Sequence, residues 1–248
     1  MDGRDQFSRT RRLLGDAAMA RLAAARVAVF GLGGVGGSVA EALARSGVGA
    51  LDLFDDDAVS LTNLNRQAVA THDTLGMAKV DAMAARIAAV APQVRIKKHR
   101  LFYMPENADA VDLSAYDYVV DAVDTVAAKL ELAVRATALG VPVISAMGAG
   151  NKLDPTKLVI SDIYGTSVCP LARVMRRELR KRGVRRLKVA WSTEPPVAPK
   201  GEIEEEAGLH PRRSVPGSTA FVPSAMGLAI AAQVVRDLAD EACTAAQP

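Results

Sequence analysis

The spacing of apolar positions changes period along the chain. Arg26–Phe30 (RVAVF) is a short run with strand character. From Val35 to Ser46 the period becomes helical, with Val39, Ala40, Leu43 and Ala44 forming one stripe. Ala50–Phe54 predicts a second strand, closed by Asp55-Asp56-Asp57. Gly76–Val90 predicts a helix that Pro92 stops. Strands are predicted over Val94–His99, Tyr116–Asp121 and Val141–Ala146, with a helix over Val126–Leu139. Strands alternating with helices predict an α/β fold, a mostly parallel sheet with helices on both faces.

The last hundred residues read as an extension of that sheet. Leu158–Ile163 and Leu187–Trp191 predict strands, and Leu171–Arg182 between them predicts a very basic helix. Glu194–Ser218 is rich in Pro, Gly and charge without an apolar period, which predicts a mobile loop over about 194–218. Gly217–Leu238 predicts a turn and a closing helix, with no internal repeat. One domain over 1–248 is expected, with a nucleotide-binding half over 1–150 and a substrate half over 151–248.

Composition narrows the class. Half of the 248 residues are hydrophobic, enough for a sizeable core. Cys169 and Cys243 form no CxxC pair, which argues against structural zinc and a disulfide scaffold. The N-terminus is charged from its second residue and lacks the apolar core of a signal peptide. The apolar stretch Ala225–Val235 follows Pro223 and reads as too short for a bilayer, hence as a buried helix. A reducing cytoplasm is the expected compartment.

Gly31, Gly33 and Gly36 fit GxGxxG between the first strand and its helix. Such a loop lets backbone approach a phosphate, and the helix N-terminus supplies donors. Asp55 ends the next strand, 19 residues after Gly36, where an acid accepts from ribose hydroxyls. This motif gives a Rossmann-like nucleotide site without choosing between NAD and ATP. Arg66 and Lys79 favour ATP, because cations suit a triphosphate and a leaving pyrophosphate. Asp124, after the fourth strand, is placed to hold magnesium. Each has a plain alternative: Arg66 a surface ion pair, Lys79 a helix-face lysine, Asp124 a helix cap.

The runs GLGGVGG, DDDAVSLTNLNRQ, GMAK and DAVDT together resemble the ubiquitin-activating-like superfamily of ThiF-type adenylyltransferases. Its members bind Mg-ATP on a Rossmann-like fold and convert a carboxylate to an acyl-adenylate. Carried over by position, the resemblance implies that Gly31, Gly33, Gly34 and Gly36 cradle the nucleotide. It gives Asp55 the ribose and Asn63, Arg66, Gln67 and Lys79 the phosphate region, and it gives Asp124 the magnesium. It also implies a homodimer in which an N-terminal arginine enters the partner's site. Arg12 matches best, with Arg9 and Arg11 the other candidates.

Gly148-Ala149-Gly150, Asp154-Pro155-Thr156, Pro170-Leu171-Ala172-Arg173 and Ser192-Thr193-Glu194 resemble one branch, the tRNA threonylcarbamoyladenosine dehydratases. The resemblance runs from Phe7 to the final helix. It implies ATP-dependent cyclisation of the modified adenosine through its threonyl carboxylate. The lack of zinc and thioester cysteine patterns agrees, since an internal ring closure needs no thioester. Cys169 reads as packing, in a position where relatives carry an acid. Trp191 reads as core, and Tyr103 and Phe102 either pack or stack on adenine. His72, His99 and His210 are scattered and form no metal triad.

Arg173, Arg176, Arg177, Arg180, Lys181, Arg182, Arg185, Arg186 and Lys188 fall within sixteen residues with one acid, Glu178, while the whole chain is only +3. That density suits a phosphate backbone, and with the resemblance it implies tRNA binding. The acidic run Glu202–Glu206 would face away from RNA or screen the patch. Neither a membrane nor DNA is implied as partner. A sulfur-transfer (cysteine desulfurase) system is a further candidate partner. The other readings are an adenylyltransferase for a small sulfur carrier ending in Gly-Gly, and an NAD-binding or non-catalytic Rossmann module.

Overall fold

The structure is a computed structural model and describes residues 5–198, 200 and 216–240. Two short helices, α1 (Ser8–Leu14) and α2 (Asp16–Ala24), precede β1 (Arg26–Phe30). Then follow α3 (Gly34–Arg45), β2 (Ala50–Phe54), α4 (Lys79–Val90), β3 (Arg95–His99), β4 (Tyr118–Asp121), α5 (Val126–Ala138) and β5 (Val143–Ala146). The second half adds β6 (Leu158–Asp162), α6 (Pro170–Lys181), β7 (Lys188–Ser192) and α7 (Phe221–Ala239). The seven-stranded sheet runs β3-β2-β1-β4-β5-β7-β6, with only β6 antiparallel. The expected α/β architecture is present, with β6 and β7 extending the sheet.

Alternation along the strands divides the core. Val27 and Val29 of β1 and Leu51 and Leu53 of β2 point to the layer of α2, α3, α4 and α7. Ala28, Phe30 and Phe54 point to the layer of α5. Across the strands the rings of Phe30, Phe54 and His99 stack at centroid spacings of 4.2 and 4.1 Å. Strand β7 sends Val189 and Trp191 towards α6 and Ala190 to the other face. The edge strand β3 is exposed and basic along Arg95, Lys97 and Lys98, a charge pattern that discourages pairing with another chain.

Helix α4 begins at Lys79 and not at Gly76. Gly76 has φ +80° and turns the chain, and Ala58 pairs with Ala78 across an isolated bridge. The closing helix is longer than the apolar stretch suggested. Its 19 residues have the length and composition of a membrane span, yet Val222, Met226, Ile230, Val234 and Leu238 form a buried stripe against the sheet and α3. At Gly227 a Cβ would sit 2.4 Å from the Val35 carbonyl oxygen, so α7 and α3 pack backbone to backbone there. Helix α7 is therefore a core helix of the fold.

Glu194 does not belong to a mobile loop. It is buried, and its carboxylate accepts from the backbone N–H groups of Leu153 and Asp154 at 3.0–3.1 Å. Lys152, also buried, donates its ammonium to the Glu194 carbonyl. The middle of the expected loop, residues 199 and 201–215, lies outside the described residues, as do Cys243 and His210.

Candidate functional site

The carboxyl ends of β1, β2 and β4 finish on one rung, because Phe30 pairs with both Phe54 and Asp121. The glycine loop leaves from that rung. Gly31 has φ +85°, and a Cβ there would lie 2.7 Å from the Ala122 carbonyl oxygen. A Cβ on Gly36 would meet the Gly31 oxygen at 1.8 Å. These two glycines let the turn close and α3 approach the sheet. Gly33 is different: the nearest atom to its missing Cβ is Gln67 Nε2, at 4.0 Å. Its bare backbone borders open space at the start of α3, a cradle that fits a phosphate.

Asp55 ties the loop to β2. Its Oδ2 accepts from Leu32 N at 2.6 Å and its Oδ1 from Asp57 N at 2.9 Å. Burial pushes its pKa upward, against the pull of Lys79 and the two backbone donors. Each carboxylate oxygen keeps a second lone pair for a hydroxyl donor. Lys79, the first residue of α4, reaches back with Nζ 2.6 Å from Asp57 and 3.8 Å from Asp55. It is buried, and Asp57 is an exposed partner.

Arg66 lies over the loop, its Cγ 3.4 Å from where a Gly34 Cβ would be. Its Nη1 donates to Thr62 O and Asn65 Oδ1 at 3.0 and 2.9 Å. Burial alone lowers its pKa, and it forms no carboxylate pair among the described residues. A half-sheltered guanidinium without a counter-ion suits an anion. Gln67 is buried, and its Oε1 has no hydrogen-bond partner among the described residues. Asn63 is buried beside it, its Oδ1 accepting from Ser60 N at 3.1 Å. The geometry thus gathers Gly33, Gly34, Asp55, Asn63, Arg66, Gln67 and Lys79 at one edge.

At the end of β4, Asp121 and Lys129 form a fully buried pair, 3.0 Å apart. Lys129 also donates to Val123 O at 3.0 Å, and the Ser145 hydroxyl donates to Asp121. The loop Ala122–Asp124 is thereby held from beneath. Spacing did not reveal this role for Lys129. Asp124 is exposed, and Thr125, not Asp124, occupies the N-cap of α5. Its carboxylate is free of the capping role and open to a cation.

Arg12 is not at this edge of its own chain. Helix α1 packs near the far end of α3, where Phe7 Cδ1 is 3.7 Å from the Cβ position of Gly47. The 12 residues of α3 separate it from the glycine loop by about 18 Å. Arg11 is engaged by Asp5 and Asp16, whereas Arg12 is exposed beside Leu13, which is 87% exposed. Tyr103 packs edge-on against Phe30 at 5.0 Å, and Cys169 packs with Met147, Ala172 and Trp191. His99 joins Arg26 and Tyr116 in bonding the buried Asp52, so its role is structural.

The basic helix buries Ala172, Met175 and Leu179. Arg176 flanks that stripe and turns inward to Thr166, which takes it out of the expected RNA-facing set. Arg180 stacks over Tyr164 at 5.0 Å. Glu178 collects Arg177, Lys181 and Arg182, whose hydrogen bonds hold its pKa down to about 2. Arg173, Arg185 and Arg186 are exposed with no ion pair among the described residues.

A mostly parallel sheet with a glycine loop between its first strand and helix, a buried acid beside that loop and a guanidinium without a counter-ion among the described residues has the make-up of a nucleotide-binding α/β protein. The ThiF family model matches residues 7–247, and the chain belongs to the ThiF family. It is 41% identical over 239 residues to the tRNA threonylcarbamoyladenosine dehydratase of Bacillus subtilis, covering 94% of each chain. Its structure resembles Escherichia coli tRNA N6-threonylcarbamoyladenosine dehydratase, TcdA, in complex with AMP (TM-score 0.84) and with ATP (TM-score 0.83). Both are 32% identical, and the match covers 98% of this chain and 96% of theirs.

Proposed function

We propose that this chain is an ATP-dependent tRNA threonylcarbamoyladenosine dehydratase, the whole of it acting as one adenylating domain. The observation that carries the reading is 41% identity to the Bacillus subtilis dehydratase over 94% of each chain. The open Gly33 cradle and the Arg66 guanidinium agree with it. In the reaction, a threonyl carboxylate oxygen attacks the α-phosphorus of ATP and pyrophosphate leaves. An atom within the substrate then closes on the activated carbonyl and AMP departs with the former carboxylate oxygen, so the nucleoside loses the elements of water.

Asp55 accepts from the ribose hydroxyls. The backbone at Gly33 and Gly34, with Asn63, Arg66 and Gln67, faces the phosphates. Lys79 exchanges its exposed partner Asp57 for phosphate oxygens. Asp124 would hold magnesium, which supplies charge neutralisation at the phosphates. The Asp55-Asp56-Asp57 cluster is the poorer cation site, because the Lys79 ammonium already sits against it. Arg173, Arg177, Lys181, Arg182, Arg185 and Arg186 contact the tRNA backbone, positioning it without reading sequence. The reading places the protein in the cytoplasm with its substrate.

The defining test is mass spectrometry of tRNA nucleosides after incubation with Mg-ATP and purified protein. Appearance of the cyclic nucleoside is expected. Its absence, with pyrophosphate exchange that depends on a Gly-Gly carrier protein, would replace this reading by the sulfur-carrier one. The N-terminal arginine has its own test. If a second copy supplies Arg12 to the site, Arg12→Ala and Arg66→Ala proteins are each inactive, and an equal re-equilibrated mixture regains about a quarter of wild-type turnover through mixed dimers. No recovery in a mixture shown by light scattering to be dimeric removes Arg12 from the site.

A further inference from the structure

Arg66 stands at the end of a hydrogen-bond chain that starts in the other half of the molecule. Asn151 follows β5 at the end of the Gly148-Ala149-Gly150 turn and has φ +57°. Asn tolerates this left-handed conformation better than most residues. So placed, it clasps Gly217 twice: its backbone N–H donates to Gly217 O, and its Oδ1 accepts from Gly217 N, both at 2.7 Å. Its carbonyl accepts from Val197 N at 2.8 Å. The neighbouring segment is pressed close, since a Cβ on Gly150 would lie 2.8 Å from Pro216 Cβ.

The next residue carries the chain across to the nucleotide edge. Ser218 offers its carbonyl to Asn65 Nδ2 at 3.1 Å. The other end of the same amide, Asn65 Oδ1, accepts from Arg66 Nη1 at 2.9 Å. Among the described residues the Arg66 side chain has one further bond, to Thr62 O on its own turn. The orientation of its guanidinium therefore depends on Asn65, and that of Asn65 on where Ser218 is held.

We infer that Asn151 is a positioning residue for the Arg66 guanidinium, acting through Gly217-Ser218 and the Asn65 amide. This rests on the reading that Arg66 faces the phosphates of ATP. Fixing a long cationic side chain before the ligand arrives lowers the ordering cost of binding. The clasp also joins the two halves: residues 151 and 217–218 belong to the substrate half, 65 and 66 to the nucleotide half.

The experiment measures ATP affinity by calorimetry and the KM values for ATP and tRNA on the full-length protein. Asn151→Gly keeps the left-handed backbone accessible and removes Oδ1. It should weaken ATP binding about five- to tenfold, the effect of one lost hydrogen bond, with the tRNA KM unchanged. Asn151→Asp keeps an acceptor and the backbone preference, and should recover most of that affinity. Adding Asn151→Gly to Asn65→Ala should cost nothing beyond Asn65→Ala alone, because both interrupt one path. Additive losses, or an unchanged ATP affinity in Asn151→Gly while Arg66→Ala loses affinity, would overturn the relay alone. If Arg66→Ala binds ATP as well as wild type, the placement of Arg66 fails and the relay falls with it.

Discussion

The carboxyl ends of β2 and β4 each set a lysine against an aspartate, and the two pairs differ in what is left over. At β4, Lys129 and Asp121 are fully buried, and Ser145 and Val123 O take up further bonding capacity. At β2, Lys79 leans on Asp57, whose side chain is 64% exposed, while Asp55 retains acceptor capacity beneath it. Both are acid–base pairs at the same edge of the same sheet. The closed one sets the position of a loop. The open one has partners it can give up to a ligand. Neighbouring Arg66 and Gln67, which among the described residues have a guanidinium lacking a counter-ion and a buried amide oxygen lacking a donor, lie on the open side.

Removing Lys129 is the most severe way to break the contrast. Lys129→Met leaves the Asp121 charge buried without its cation, and chemical denaturation should show a loss of about 3–5 kcal/mol. Lys79→Ala should cost less by the same assay, because the Asp57 carboxylate it leaves behind is open to water. Its effect falls on chemistry instead: dehydration turnover should drop about 100- to 1,000-fold, as for a lost transition-state donor. Equal destabilisation by the two substitutions would erase the distinction.

Acidity sharpens the contrast within β2. Asp52 in the middle of β2 and Asp55 just past its end have pKa values that move in opposite directions. Burial raises that of Asp52, but bonds from Arg26, His99 and Tyr116 outweigh it and hold it low. Its stabilisation is complete above the unfolded carboxylate value of about 4 and is lost as pH falls through the depressed folded value. Asp55 is raised, so it protonates first on acidification. ATP affinity should therefore fall at a pH where far-ultraviolet circular dichroism still reports an intact fold. Coincident loss of both signals would contradict the assignment. The smallest effect is expected on α6 and the segment after it: replacing Arg173 or Arg186 by Gln should reduce the slope of log tRNA affinity against log salt by about 0.7–0.9 per contact removed. Arg176→Gln should leave that slope unchanged.

The nucleotide edge was readable because its parts are spaced along the chain in a fixed order. Gly31, Asp55, Lys79 and Asp124 each follow a strand end or open a helix, Arg66 lies in the run between β2 and α4, and local pattern reaches that far. What spacing does not carry is pairing over long distances. Lys129 looked like any helix lysine until β4 and β5 brought Asp121 and Ser145 against it. Asn151 and Asn65 met through Gly217-Ser218, 66 and 153 residues away along the sequence. Arg176 counted as one more charge until α6 turned it towards Thr166. The polar start of the chain gave no helical stripe, and α1 and α2 went unread because their contacts come from distant elements such as Gly47.

The contact of Gly227 with Val35 has a consequence for the order of synthesis. The glycine loop and α3 are made well before α7, with most of the sheet between them in the sequence. Yet the surface of α3 that Gly227 and Pro223 cover stays bare until residues 221–239 emerge. Pro223, whose Cβ lies 2.9 Å from the Cβ position of Gly34, completes the wall of the phosphate turn. A nascent chain halted before α7 therefore displays the whole nucleotide motif but lacks the helix that seals it. The turn and the helix that covers it are thus made far apart in time.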